Sequence, residues 1–277
     1  FDVGVGKTLT AIASLALGRQ EGRVRRPVIT VPSSLVWQWY DNFMCVLPDY
    51  RVAVIGSKRK RITRGKNRDQ ITSEPDTPEE RAEKWTALQA GLLDVVILSY
   101  DALGRTKMSE EALVEYVGQI GAIQRQVALR QRNAKKKAAS KLTEREKAIL
   151  NHGARAFVEE QLELPPDRKF DPGIAWDDIG IDMLVVDEAA SFKNSYKPEP
   201  REHGMPKFMG SSRGSSKRAW QLDFRAAAVR RHTKGTGIVL LTATPAKNSP
   251  LEFYNLIQLM DPWAFSRRGL MDPEQFI

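Results

Sequence analysis

Apolar residues along the chain gather in five short, nearly unbroken runs: Val28–Val31, Val52–Ile55, Val95–Leu98, Met183–Val186 and Ile238–Leu241. A strand with one wet face alternates apolar and polar positions. Continuous runs rich in β-branched residues therefore predict strands buried on both faces. Between them, apolar positions recur at helical spacing over Thr8–Leu17, Leu35–Val46, Pro78–Ala90, Lys217–Arg230 and Leu251–Leu259. Strand and helix patterns in alternation predict βαβ units, an α/β fold with a parallel sheet flanked by helices.

Three stretches break this alternation. From Met108 to Asp178, Leu113, Tyr116, Ile120, Ile123 and Val127 lie alternately three and four residues apart, and Leu142, Ile149 and Ala156 recur every seven, flanked by Leu150 and Phe157. That seam predicts a helical hairpin inserted at 108–178 and closing partly on itself, ended by Pro165-Pro166 and Pro172-Gly173. Ser57–Thr77, polar and basic, reads as a mobile loop. Tyr196–Ser216, rich in Gly, Ser, Pro and Lys, reads as a flexible surface loop.

Composition changes this picture little, charge rather more. At 277 residues and 42% hydrophobic content the chain can bury the core of one large domain. No window approaches the apolar length of a membrane span and no basic-then-apolar leader opens the chain, so a soluble protein with no membrane partner is expected. Cys45, the single cysteine, can form no internal disulfide or thiolate cluster, and is expected to be a small buried hydrophobe in a reducing cytoplasm. His152, His203 and His232 lack the spacing of metal ligands. Trp37, Trp39, Trp85, Trp176, Trp220 and Trp263 have faces that stack on bases, but most sit in apolar patterns that favour core packing. The net charge of +9 and pI near 9.6 hint at a polyanionic partner. The excess concentrates in Lys58–Arg68, in Lys135–Lys137 and in Arg201–Lys234, where nine Lys or Arg meet only Glu202 and Asp223. Solvated basic loops and DNA-contacting ones are both consistent with these runs.

Three motifs carry chemistry. In Gly4-Val5-Gly6-Lys7-Thr8 the glycines let backbone N–H groups turn toward phosphate, Lys7 reaches the β/γ-phosphates, and the Thr8 hydroxyl takes a Mg2+ position at the start of a helix. Phe1 stands where the strict pattern has its first glycine and no strand precedes the loop, so a fragment cut just after its first strand is expected. Met183-Leu184-Val185-Val186-Asp187-Glu188 is an apolar strand ending in two acids, one for the metal and one to polarise the attacking water. Their long separation from Lys7 is accounted for by the insertion. Leu241-Thr242-Ala243-Thr244-Pro245 places small hydroxyl residues at another strand end, where they can hydrogen-bond the acids and a neighbouring loop.

The order G-x-G-K-T, D-E-A-x, T-A-T-P resembles motifs I, II and III of superfamily-two helicases, and the flanks look most like the Swi/Snf-related branch. Asp2-Val3, Phe192-Lys193-Asn194 and Pro250-Leu251 match that branch, Pro32–Trp39 looks like its motif Ia, and Leu98-Ser99-Tyr100-Asp101 like its motif Ib. A helical insertion between Ib and II is similar to helicase modules of phage- and plasmid-borne proteins, often joined to DNA methylases. The resemblance spans nearly the whole chain and implies a RecA-like ATP-binding domain of a DNA helicase or translocase, in a bacterial cell or a phage-infected host. It implies that Lys7 and Thr8 bind ATP and Mg2+, that Asp187 holds the metal, and that Glu188 activates water. Thr242 and Thr244 would couple hydrolysis to movement, and Pro32, Ser33, Ser34, Ser99 and Tyr100 would touch the phosphates of DNA, most simply double-stranded.

Two departures bear on activity. Ala190 stands where motif II usually has His, which puts coupling in question more than hydrolysis. The second RecA-like domain, which would supply an arginine finger worth roughly 10³–10⁵ in rate, is not in this chain, so the chain alone is expected to bind ATP weakly and barely hydrolyse it. Two other readings stay open: a non-hydrolysing DNA-binding module, and another P-loop NTPase such as a GTPase or small-molecule kinase, against which stands the lack of an N-K-x-D motif.

Overall fold

The computed structural model describes residues 6–61, 70–119, 121–162, 169–193, 216–246 and 250–270. They divide into two compact units. The first takes Phe1–Lys107, Arg168–Ala189 and Val229–Ala243; the second takes Met108–Asp167, Ala190–Ala228 and Thr244–Ile277.

The first unit holds α1 (Lys7–Gln20), β1 (Pro27–Val31), α2 (Val36–Val46), β2 (Val52–Ile55), β3 (Ser57–Arg61), β4 (Ile71–Pro75), α3 (Pro78–Gln89), β5 (Val95–Ser99) and α4 (Tyr100–Arg105). After the insertion come β6 (Met183–Val186) and β7 (Ile238–Leu240). Five strands form one parallel sheet in the order β2-β5-β1-β6-β7, the α/β architecture expected from the apolar runs. The runs in β1, β5 and β6 are buried on both faces, as their continuity predicts, apart from half-buried Ser99. The two strands at the edges of the described sheet differ: β2 is half-buried at its start, and Ile238, Val239 and Leu240 of β7 are all half-buried. Ile12 and Leu15 of α1, Trp39 and Phe43 of α2, Ile29, Ile97 and Val185 form one apolar core.

Local chemistry sets the helix entries. Gly6 starts α1 at φ 76, a conformation that costs a Cβ-bearing residue. Pro78 opens α3 behind a capping box in which Thr77 and Glu80 exchange side-chain and backbone bonds. Below α3, Arg81 donates to both oxygens of Asp171 at 2.8 and 2.5 Å, a pair sealed from solvent, and Trp85 packs edge-on against Trp176 at 5.7 Å. These contacts pin the returning segment of the insertion to the sheet domain. At the start of β5, Asp94 gathers Arg51 and Arg19 at 2.7–2.9 Å. The Arg51 hydrogen bond, ahead of the opposing cost of burial, holds its carboxyl below the usual range.

Ser57–Thr77 is not a loop. Where it is described, β3 and β4 pair antiparallel from Ser57 opposite Pro75 to Arg61 opposite Ile71; residues 62–69 lie outside the described residues. No alternating apolar face announced this hairpin, because charge and an aromatic surface hold it. Lys58 pairs with Glu80 and Lys60 with Glu74, while Arg59 grips Asp41 at 2.6 and 2.7 Å and lies over the Trp37 ring at 4.4 Å. Lys58, Arg59 and Lys60 of the basic run are thus paired within the protein.

The second unit contains α5 (Glu110–Gln119), α6 (Gly121–Lys135), α7 (Glu144–His152), α8 (Ala154–Leu162), most of α9 (Lys217–His232) and α10 (Pro250–Met260). The expected hairpin is four helices, with α7 and α8 separated at Gly153. Its seam closes as expected where it is described. Tyr116, Val127, Ile149, Ala156 and Phe157 pack together, and α9 completes the cluster with Trp220 and Phe224, the Tyr116 hydroxyl bonding Asp223 at 2.5 Å. Side chains 120 and 123 lie outside the described residues, as does nearly all of the expected 196–216 loop. Four tryptophans are core residues as expected, but Trp37 is half-buried under Arg59 and Trp263 is 54% exposed. Cys45 is also exposed, not buried, because it sits on the solvent side of α2 while Trp39 and Phe43 face the core.

Candidate nucleotide site

Ser99, Asp187, Glu188 and Thr242 lie at or just beyond strand ends of the sheet, and Gly6–Thr8 lies at the start of α1. Gly4 and Val5 lie outside the described residues; Gly6, Lys7 and Thr8 form the entrance to α1. Among the described residues no side chain caps that entrance and no acid lies in its first turn, so the N–H groups and helix dipole present a positive end. These three residues line a cavity of about 470 Å³ with Leu9, Ile12, Asn42, Cys45 and Val46. A glycine in the left-handed region, an uncapped helix start and an adjacent lysine fit a polyphosphate group.

Asp187 and Glu188 follow β6 directly. Asp187 is buried, its N–H donating to the Thr30 carbonyl at 2.9 Å, and both carboxylate oxygens are held: Oδ1 accepts the Glu188 N–H at 3.0 Å, and Oδ2 accepts the Trp39 indole N–H at 2.8 Å. Glu188 is half-buried and stands at φ 47, one of two described non-glycine residues in the left-handed region. Strain of this kind costs on the order of 1–3 kcal/mol and gathers at functional sites, where the surroundings enforce it. Tyr100, at the head of α4, donates its hydroxyl to the Asp187 carbonyl and reaches the Glu188 carbonyl at 3.4 Å. No cluster of three or more His, Cys, Asp or Glu occurs among the described residues. A Mg2+ ion keeps several waters and takes one or two protein ligands plus phosphate oxygens, and the Thr8 hydroxyl and the Asp187 carboxylate are donors of that kind; the cavity at Gly6–Thr8 is not itself lined by Asp187 or Glu188.

A family model described as a probable helicase domain matches residues 1–272. The chain belongs to this helicase-domain family. A curated relative, the "Defense against restriction protein B" of Escherichia phage P1, is 22% identical over 306 residues, covering 100% of this chain and 13% of its own length. A solved structure, described as a Sulfolobus solfataricus SWI2/SNF2 ATPase core in complex with dsDNA, is 13% identical with a TM-score of 0.45, covering 99% of this chain and 32% of that one. The helicase domain thus spans a small part of each relative's length.

Other expected positions fall into place differently. In the helicase domain Pro32 precedes an exposed 3-10 turn at Ser33–Leu35 after β1, with both serines open to solvent. Ser99 caps α4 by accepting the Ala102 N–H at 3.2 Å. Thr242 is half-buried beyond β7; Thr244 is exposed and belongs to the second unit. No described helix is long and apolar enough to cross a membrane. Sequence reasoning missed Trp39 as a partner of Asp187, because a core tryptophan in an apolar helix carries no outward sign of its indole donor.

Proposed function

We propose that this helicase domain is the ATP-binding motor domain of a DNA helicase or translocase, coupling ATP hydrolysis to movement along DNA, most simply double-stranded. The observation that carries this reading is the acid pair after β6, with Asp187 fixed through both oxygens and Glu188 held at a strained φ. Lys7 and the α1 N–H groups bind the β/γ-phosphates, and Thr8 with Asp187 would hold Mg2+. The ion, when bound, neutralises phosphate charge and polarises the transferred group. Glu188 orients and deprotonates the attacking water, Thr242 responds to the state of the acids, and Pro32, Ser33, Ser34, Ser99 and Tyr100 lie along the path of the DNA backbone. A second RecA-like domain of the intact protein would supply the other wall of the cleft.

The test is ATP hydrolysis by the intact protein with and without duplex DNA. Stimulation by DNA is expected, with Glu188→Gln lowering the rate by roughly 10²–10⁴ while leaving ATP bound. Absence of stimulation by any nucleic acid sinks the motor reading. DNA binding without hydrolysis favours a non-hydrolysing module, the alternative that Ala190 supports.

A further inference from the structure

Both chain segments expected to meet the DNA backbone are tied to the same acid. The turn Ser33–Leu35 leads straight into α2, where Trp39, 2% exposed, donates its indole N–H to Oδ2 of Asp187 at 2.8 Å. The end of β5 leads into α4, whose first residue, Tyr100, donates its hydroxyl to the Asp187 main-chain carbonyl. One segment therefore holds the carboxylate of Asp187 and the other its backbone. With Oδ1 occupied by the Glu188 N–H, the plane of the carboxylate is set by Trp39. The Trp39 indole and the Asp187 carboxylate are both buried, so a movement of α2 would carry the acid with it through this bond.

We propose that Trp39 and Tyr100 are positioning residues that couple nucleic-acid contact after β1 and β5 to the geometry of Asp187, and so to Mg-nucleotide affinity. The proposal rests on the ATP-motor reading above. Coupling between two ligands is reciprocal and shows at equilibrium: DNA must tighten Mg-nucleotide binding by the same factor as nucleotide tightens DNA. A merely structural tryptophan lowers stability and both affinities without changing that factor.

The experiment titrates a fluorescent non-hydrolysable ATP analogue, with Mg2+, into the intact protein with and without a duplex oligonucleotide. Trp39→Phe keeps an aromatic ring and removes the donor; Tyr100→Phe removes only the hydroxyl. The wild type is expected to bind nucleotide at least about 5-fold tighter with DNA, the lower end of usual coupling, and both variants should bring that ratio close to one. A wild-type ratio in Trp39→Phe overturns the proposal, as does a wild-type protein that shows no enhancement. If Trp39→Phe does not fold, Tyr100→Phe decides alone by the same criterion. Lys7→Ala separates the two levels. Nucleotide binding lost in Lys7→Ala with an unchanged ratio in Trp39→Phe means that the coupling proposal fails and the ATP site stands. Nucleotide binding retained in Lys7→Ala means that the site reading itself fails.

Discussion

Asp94 and Asp187 are both strand-associated acids, and each is held by donors distant in sequence, but to different ends. Asp94 sits at the start of β5 with Arg51 and Arg19, and its lowered carboxyl pKa links stability to pH. Because the folded pKa lies below the unfolded value, the stabilising effect is present above the ordinary aspartate range, near 3.9, and is lost as pH falls through the folded pKa. Asp94→Asn should lower the Tm at neutral pH by a few degrees, at roughly 2–4 °C per kcal/mol for a chain of this size, and should flatten the acid limb of the Tm profile. An identical acid limb in the variant contradicts the link. For Asp187 the donors, the Trp39 indole and the Glu188 N–H, fix both carboxylate oxygens. Lys7, Thr8, Asp187 and Glu188 were candidates in the sequence because each belongs to a contiguous run of residues. Trp39 was not, since its bond to Asp187 joins positions 148 apart. The φ of Glu188 was equally hidden, because it is imposed by the turn that follows β6.

Among the elements, the strands buried on both faces and the long helices could be read from periodicity. The β3–β4 hairpin could not, since its stability comes from Lys60–Glu74, Lys58–Glu80 and the Arg59–Trp37 contact rather than from an apolar face. The burial of β7 was overestimated for a related reason: continuity of apolar residues reports composition, not position in a sheet, and β7 lies at the edge of the described one. Its entry is tightly specified all the same. Gly237 has φ +85, and a Cβ there would stand 2.5 Å from the Asp182 carbonyl oxygen. Gly237→Ala is therefore expected to destabilise by roughly 1–3 kcal/mol, read as a lower urea midpoint with an unchanged slope. A midpoint equal to that of the wild type would show that the β6–β7 pairing tolerates a shifted turn.

For the molecule as a whole, one sheet unit carries Gly6–Thr8, Asp187 and Glu188, and a helical unit carries Met108–Asp167 of the insertion and Thr244. The helicase-domain family model covers both units, matching residues 1–272. In the proposed function Gly6–Thr8 and Asp187 form one Mg-ATP site. Equilibrium titration of a fluorescent ATP analogue into the intact protein tests it most directly, in the wild type and in Lys7→Ala, with Mg2+ and with EDTA. Mg-dependent binding is expected, displaced by ATP more readily than by GTP and weakened at least tenfold, about 1.4 kcal/mol, by Lys7→Ala. Equal affinity in Lys7→Ala, or a preference for GTP, contradicts it.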